Sequence, residues 1–391
     1  MNVQKNVPEI RFKGFSGEWI KEKIANIAPL QRGFDLPKNE MKAGEYPVVM
    51  SNGVNGFHNI FKSKAPGVVT GRSGTIGNIH YVDVDYWPHN TALWVTNFHG
   101  NEPRFVYYLY VKLDLKRFGT GSGVPTLNRN DVHDQSVVLP KESEEQTAIG
   151  NTFQKLDSLI NQHQQKHDKL SNIKKAMLEK MFPKQGETIP EIRFKGFSGE
   201  WEEVSLSDFG VATSGTSIES EFTKDGKYKV ISIGSYSENS VYTEQGIRAS
   251  LSPKTESRVL EKNDLTMILN DKTLAGNIIG RVLLIDEDDS YVYNQRTQRI
   301  EPSSEYAPQF LYQFLNAPSV RKRIFKASQG NTQIYVNWSA ISKLKYFIPK
   351  KDEQIVIGNY FHKLDDLITQ HQQQITKLTN IKQACLSKMF V

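Results

Sequence analysis

One cysteine, Cys385, stands in 391 residues. That excludes an internal disulfide and any cysteine-rich zinc site, and it leads us to expect a reducing, cytoplasmic setting. Long apolar runs are also missing: none nears the roughly 18–20 residues needed to cross a bilayer. Met1 to Val7 is too polar for a secretory signal. No GxxxxGK[ST] loop occurs, so no ATP-driven step is visible. The nine histidines are scattered without metal-ligand spacing, and no Ser-His-Asp or paired-carboxylate arrangement can be argued from spacing. Charge imbalance is small. The chain carries +6 in all, with +3 over residues 20–142 and +1 over residues 202–351. Such a balance permits a polyanionic partner without demanding one, so local clusters must carry any such claim.

What is present is a duplication. Pro8 to Trp19 returns letter for letter as Pro190 to Trp201, and Leu156 to Pro183 returns as Leu364 to Val391 with 18 of 28 positions identical. Between each short block and its long block lies a stretch that hardly resembles its counterpart. Two constant frames around two unlike inserts describe a molecule that makes one contact twice and two contacts once each. The length exceeds one ordinary core, and 38% hydrophobic with 24% charged residues is globular composition.

The inserts, roughly 20–142 and 202–351, read as mixed α/β. Short apolar or β-branched runs (Tyr46 to Met50, Gly67 to Thr70, Ile278 to Ile285) are separated by Gly, Asn and Asp turns. One helix is expected late in each, Arg104 to Arg117 and Ala307 to Lys326. The repeated long blocks instead show apolar residues at three- and four-residue steps: Leu156, Leu159/Ile160, Leu170, Ile173, Met177 and Met181 in the first, and Leu364, Leu367/Ile368, Ile375, Leu378, Ile381, Cys385 and Met389 in the copy. That is an amphipathic helix with a heptad-like seam. Ser143 to Gln146 fits a capping box after Pro140, and Asp352-Glu353 opens the copy after Pro349. Each helix spans about 38 residues, or ~57 Å. A single apolar stripe of that length needs a partner, and the copy supplies one in antiparallel orientation. Cys385 aligns with Met177 and reads as a small core residue; His163 and His371 share one seam position.

Local clusters point toward phosphate. Gly71-Arg72-Ser73-Gly74-Thr75-Ile76-Gly77 lacks the P-loop lysine and reads as a tight turn that brings Arg72 near an anion; Lys272 stands at a similar place in the copy. Lys116-Arg117-Phe118 precedes Gly119 to Gly123 and then Asn128. Arg321-Lys322-Arg323 precedes Ser328 to Gln333 and then Asn337. A basic helix end followed by a small polar loop suits the DNA backbone. Groups on phosphate can be shared between inserts, whereas groups that read base edges should differ. Base-reading candidates are therefore His89 and Asn90 in the first insert and Asn294, Gln295 and Arg296 in the second.

These features together resemble the specificity (S) subunit of type I restriction-modification systems. The resemblance rests on Pro-x-Ile-Arg-Phe-x-Gly-Phe at 8–15 and 190–197, on Pro…Glu-Gln…Ile…Phe…Leu-Asp around 140–157 and 349–365, and on the Leu-Asp-x-Leu-Ile…Met-Phe helix ends. It covers essentially the whole chain. It implies an α/β (α+β) architecture: a first target recognition domain at 1–142, a first long spacer helix at 143–183, a second recognition domain at 184–351 and a second helix at 352–391. Two copies of a methyltransferase (M) subunit that binds S-adenosylmethionine, and a motor-nuclease (R) subunit using ATP and Mg, are the partners implied. The chain itself would hold no cofactor and catalyse nothing, and each insert would read half of a bipartite double-stranded DNA site. Read from residues alone, a protein-interaction adaptor, a stand-alone bipartite DNA-binding regulator, or an enzyme hidden in an insert stays open.

Overall fold

The computed structural model describes residues 6–121, 125–331 and 333–391. Ser122, Gly123 and Thr332 of the two candidate phosphate loops lie outside the described residues. The chain forms two compact units. One comprises the chain up to Gln165 together with Gln372–Val391, and the other is Lys166–His371. Each of the two long helices, Ser143–Lys180 and Lys351–Lys388, therefore begins in one unit and finishes in the other. Both are 38 residues long, the length that the uninterrupted pattern predicts.

In the first unit the beginning of the first long helix meets the end of the second. Phe153 packs on Phe390 with ring centroids 5.8 Å apart, and Lys382 Nζ lies 2.5 Å from Asp157 Oδ1. One number climbs while the other falls, so the two segments run antiparallel. The second unit repeats the arrangement: Phe182 stacks on Phe361 at 6.0 Å, and Lys174 Nζ meets Asp365 at 2.6 Å. Phe153, Phe390, Phe182 and Phe361 are all buried, and each such ring removed from water contributes about 1.5–3 kcal/mol. Cys385 packs against the first core and Met177 against the second, as their matching positions predict.

The duplicated Pro8 and Pro190 segments close each unit in the same way. Arg11 forks onto Glu145 and Arg193 onto Glu353. Ile20–Lys23 pairs antiparallel with Ser136–Leu139, and Glu202–Ser205 with Lys345–Ile348. The capping box read at Ser143 to Gln146 is put to a different use. Glu145 and Glu353 face those arginines, while the Gln146 amide donates to the carbonyl of Pro140 and accepts from the N–H of Glu102.

The unlike inserts share one topology. The first has a four-stranded antiparallel sheet in the order Leu30–Arg32, Ala92–Val95, Gly67–Gly71, Ile79–Val82. The second has Gly210–Ser214, Thr297–Pro302, Leu265–Ile268, Val282–Leu284 in the same order. Each insert also has a second sheet, three-stranded in the first and four-stranded in the second, with Tyr46–Met50 parallel to Trp87–Pro88 and Tyr228–Ile231 parallel to Tyr291–Tyr293. Alternation of buried and exposed positions is weak in these short strands, which explains why their common order is not visible in the sequence.

Two helix expectations need correction. Pro103–Leu113 stops at Asp114, which is left-handed at φ +46, and a short 3-10 turn Leu115–Phe118 follows. The segment 307–326 is two helices, Pro308–Asn316 and Pro318–Lys326. Pro318 crowds the residue before it, and Ala317 is extended at ψ 142 as that crowding requires. Within Ile278 to Ile285 only Val282–Leu284 is strand, since Gly280 turns the chain at φ +69.

Candidate nucleic-acid interface

Hydrogen bonds at the strand ends align the two inserts residue by residue. Gly33 N–H donates to Ala92 and Gly215 N–H to Thr297; Phe34 bridges His89 and Thr216 bridges Asn294. His89, Asn90 and Thr91 therefore correspond to Asn294, Gln295 and Arg296. Glycine is required at the two crossing points. A Cβ on Gly33 would overlap the carbonyl oxygen of His89, and one on Gly215 that of Asn294. The chain can bring these loops over the sheet edge only where it has no side chain.

One step further along, each unit has a three-residue node. The Arg72 N–H donates to the Thr91 carbonyl at 2.9 Å, and the Leu127 N–H donates to the Arg72 carbonyl at 2.7 Å. In the second unit the Leu269 N–H donates to Arg296 and the Val336 N–H to Leu269, both at 2.9 Å. The node joins the main sheet to the segment after the candidate phosphate loop, at Thr126–Leu127 or Ile334–Tyr335. Asn128 and Asn337 follow directly, and each precedes a short helix, Arg129–His133 or Trp338–Ile341. By this register Arg72 matches Leu269. Lys272, taken from sequence as its counterpart, stands three residues beyond that position and is exposed.

Side-chain surroundings sort the candidates. His89 is half-buried, and burial lowers its pKa from the ordinary value; one ring nitrogen lies 3.0 Å from the Thr91 hydroxyl. The Asn90 amide donates to Asp35. Lys116 and Arg117 are exposed, and the Arg117 guanidinium lies 4.6 Å from the Phe118 ring centroid. Asn128 accepts from the Asn130 N–H at 3.0 Å and so caps its helix.

In the second unit two candidates do not fit the contacts assigned to them. Asn294 is only 7% exposed. Its carbonyl oxygen accepts from the N–H groups of Ile218 and Gln295 while its amide donates to Glu219, so it holds the loop and does not present an edge to a base. Arg321 donates to the carbonyls of Asn277 and Ile279. Burial, with Arg281 nearby, pushes its pKa down to about 10. That guanidinium is spent on a backbone turn and does not suit phosphate. Gln295 is exposed and donates to Glu219. Arg323 covers the Tyr346 ring at 4.3 Å. Lys322, Asn337 and Arg296 are exposed, Arg296 in the left-handed region at φ +70.

Sequence reasoning missed the residues that fix the loops: Asp35 under Asn90, Thr91 beside His89, and Glu219 under Asn294 and Gln295. Hydrogen bonds from Ser217, Asn294 and Gln295 hold the Glu219 carboxyl down to about 2. Each carboxylate lies 55 to 76 residues from the amide side chains it holds, and no local spacing betrays such a pair. Among the described residues no group of three or more His, Cys, Asp and Glu side chains is placed to hold a metal ion, and no helix is long and apolar enough to cross a membrane.

Comparison with known proteins agrees with this duplicated plan. The family model for the type I restriction modification DNA specificity domain matches twice, at residues 16–172 and 198–380. The chain is 26% identical over 289 residues to the type I restriction enzyme MjaVIII specificity subunit of Methanocaldococcus jannaschii, a match covering 69% of this chain and 66% of that protein, just under two thirds of its length. Its fold is similar to that of the type I restriction-modification system S subunit from M. genitalium, with a TM-score of 0.66 and 17% identity over 98% of this chain and 99% of the other. Two inserts of unlike sequence, each folded on one topology and closed by the same arginine–glutamate fork, account for two matches to a single model, and the chain belongs to the family of type I restriction-modification DNA specificity domains.

Proposed function

We propose that this chain is the subunit that directs a type I restriction-modification complex to its DNA, reading a bipartite double-stranded site with one half-site per unit. The observation that carries this is the division of labour between frame and insert. The fork, the helix pairing and the order of the main sheet are the same in both units, whereas the residues at the loop ends differ: half-buried Asn90 and Thr91 against exposed Gln295 and Arg296. Arg, Asn and Gln match guanine and adenine edges, and exposed Lys116, Arg117 and Lys322 suit the sequence-independent phosphate contacts that supply most of the affinity.

On this reading the repeated helices offer two equal surfaces, to which two copies of a methyltransferase subunit dock. The methyltransferase brings S-adenosylmethionine, and a motor-nuclease subunit brings ATP and Mg. This chain supplies position and no chemistry, in the cytoplasm. The test is to express the chain with its methyltransferase and map methylated adenines across a genome. Two short defined motifs around a fixed unread gap, lost when this chain is deleted, are expected. Methylation independent of this chain would overturn the proposal and favour an adaptor role.

A further inference from the structure

Resting on the reading just given, the node suggests which side chain sets part of the specificity. Its three members are Thr91, Arg72 and Leu127 in the first unit and Arg296, Leu269 and Val336 in the second. Each set contains one arginine, and the two arginines occupy different members: the strand end in the first unit, the loop end in the second. Most other arginines of the second unit are committed. Arg193 serves Glu353, Arg299 serves Asp264, Arg248 and Arg321 serve backbone carbonyls, and Arg258 and Arg323 cover tyrosine rings. Among the described residues no hydrogen bond, ion pair or ring contact engages the side chain of Arg72 or Arg296.

Backbone conformation points the same way. A non-glycine residue in the left-handed region is uncommon, and such strain persists only where the surroundings over-determine it. Arg296 is held at φ +70 by its carbonyl bond to Leu269, with Asn294 pinned by Glu219 two residues before it. The fork geometry of arginine matches O6 and N7 of guanine, and one good bidentate pair discriminates by about 1–3 kcal/mol.

We infer that Arg72 and Arg296 are the guanine-reading residues of their units, and that their placement on different members of one node puts the guanine at non-equivalent steps of the two half-sites. Adjacent strands lie about 5 Å apart, more than the ~3.4 Å rise of one base pair, so with the node laid along the groove, moving the arginine from one member to the next moves it by about one step.

The experiment is methylation mapping of the full complex with Arg72→Ala, Arg296→Gly and Arg296→Lys. Glycine relieves the backbone at 296, so loss of reading cannot be ascribed to strain. Lysine keeps the charge and removes the fork. The expected result is that Arg72→Ala makes one guanine position degenerate in one half-site, and both Arg296 variants make one degenerate in the other, with discrimination falling roughly 5- to 150-fold there, the equivalent of the ~1–3 kcal/mol of one bidentate pair. An unchanged motif with uniformly weaker methylation would assign these residues to phosphate and overturn the inference. An unchanged motif and rate would overturn it too. A wild-type complex that methylates no bipartite motif would instead defeat the functional reading itself, and this inference with it.

Discussion

Arg11 and Glu145 meet fork to fork across 134 residues of chain, Nε to Oε1 and Nη2 to Oε2 both at 2.7 Å. The same Arg11 also donates to the carbonyls of Ser16 and Gly17, so it fixes the turn of the duplicated motif and the start of the long helix together. Arg193 and Glu353 reproduce the geometry in the second unit.

The Glu145 side chain is 1% exposed, and removing its partner would strand a buried carboxylate. Arg11→Ala is expected to lower stability by about 3–5 kcal/mol in chemical denaturation. The double change Arg11→Met with Glu145→Leu removes both charges and should cost far less. If the single and double variants melt together, the fork does not hold the frame.

The helix pairs carry their own ion pair. Asp157 accepts from Lys382 and from the Tyr108 hydroxyl; Asp365 accepts from Lys174 and from Gln313. Burial first, and then the Asp157 contact, raise the Tyr108 pKa, keeping the phenol protonated as the donor. A double-mutant cycle on Asp157 and Lys382 should give a coupling of about 1 kcal/mol, reduced by salt because the carboxylate is about one-third exposed. Additive single effects would show the pair to be idle.

Gly215→Ala should push the loop at Asn294 away from the sheet edge while leaving the rest of the second unit folded. The expected outcome is loss of recognition in one half-site, read by methylation mapping, with retained methylation-motif definition in the other. Equal damage to both halves would show that the crossing point is not local.

The Glu219 latch has a defined acid limit. Its folded pKa of about 2 lies below the ordinary 4.5, so its contribution is complete above pH 4.5 and fades as pH falls toward 2. The Ile218 N–H, which donates to Asn294, should exchange faster with solvent below pH 4.5 after correction for intrinsic rates. Glu219→Gln should abolish that pH dependence.

Exposed Lys116 and Arg117, and Lys322 with Arg323, are expected to carry phosphate contacts. Charge reversal at Arg117 or Lys322 in the complex should reduce the slope of log affinity against log salt by about 1. An unaltered slope would remove that residue from the interface.

How much of this was legible in the sequence depended on what kind of signal each feature leaves. The long helices were, because apolar residues recur at three- and four-residue steps without a break and the copy repeats them, and both helices run 38 residues. The frame was, because it is written twice. The shared sheet order of the inserts was not, since four-residue strands such as Leu265–Ile268 and Ala92–Val95 are nearly all buried and show no alternation. Among the candidate contacts, residue type alone could not separate Arg296, which is exposed, from Arg321, which is bound to a turn. That distinction lies in hydrogen bonds spanning more than 40 residues. The equivalence of Arg72 and Lys272 failed because matching charge is weaker evidence than matching register.

The exchange of helix ends also sets an order of assembly. Every residue of the second unit, up to His371, is synthesised before any of Gln372–Val391, which the first unit needs for Met389 and Phe390 in its core. Domains commonly mature in the order in which they emerge from the ribosome. Here the half that is begun first cannot complete its core until the half that is begun second has been synthesised.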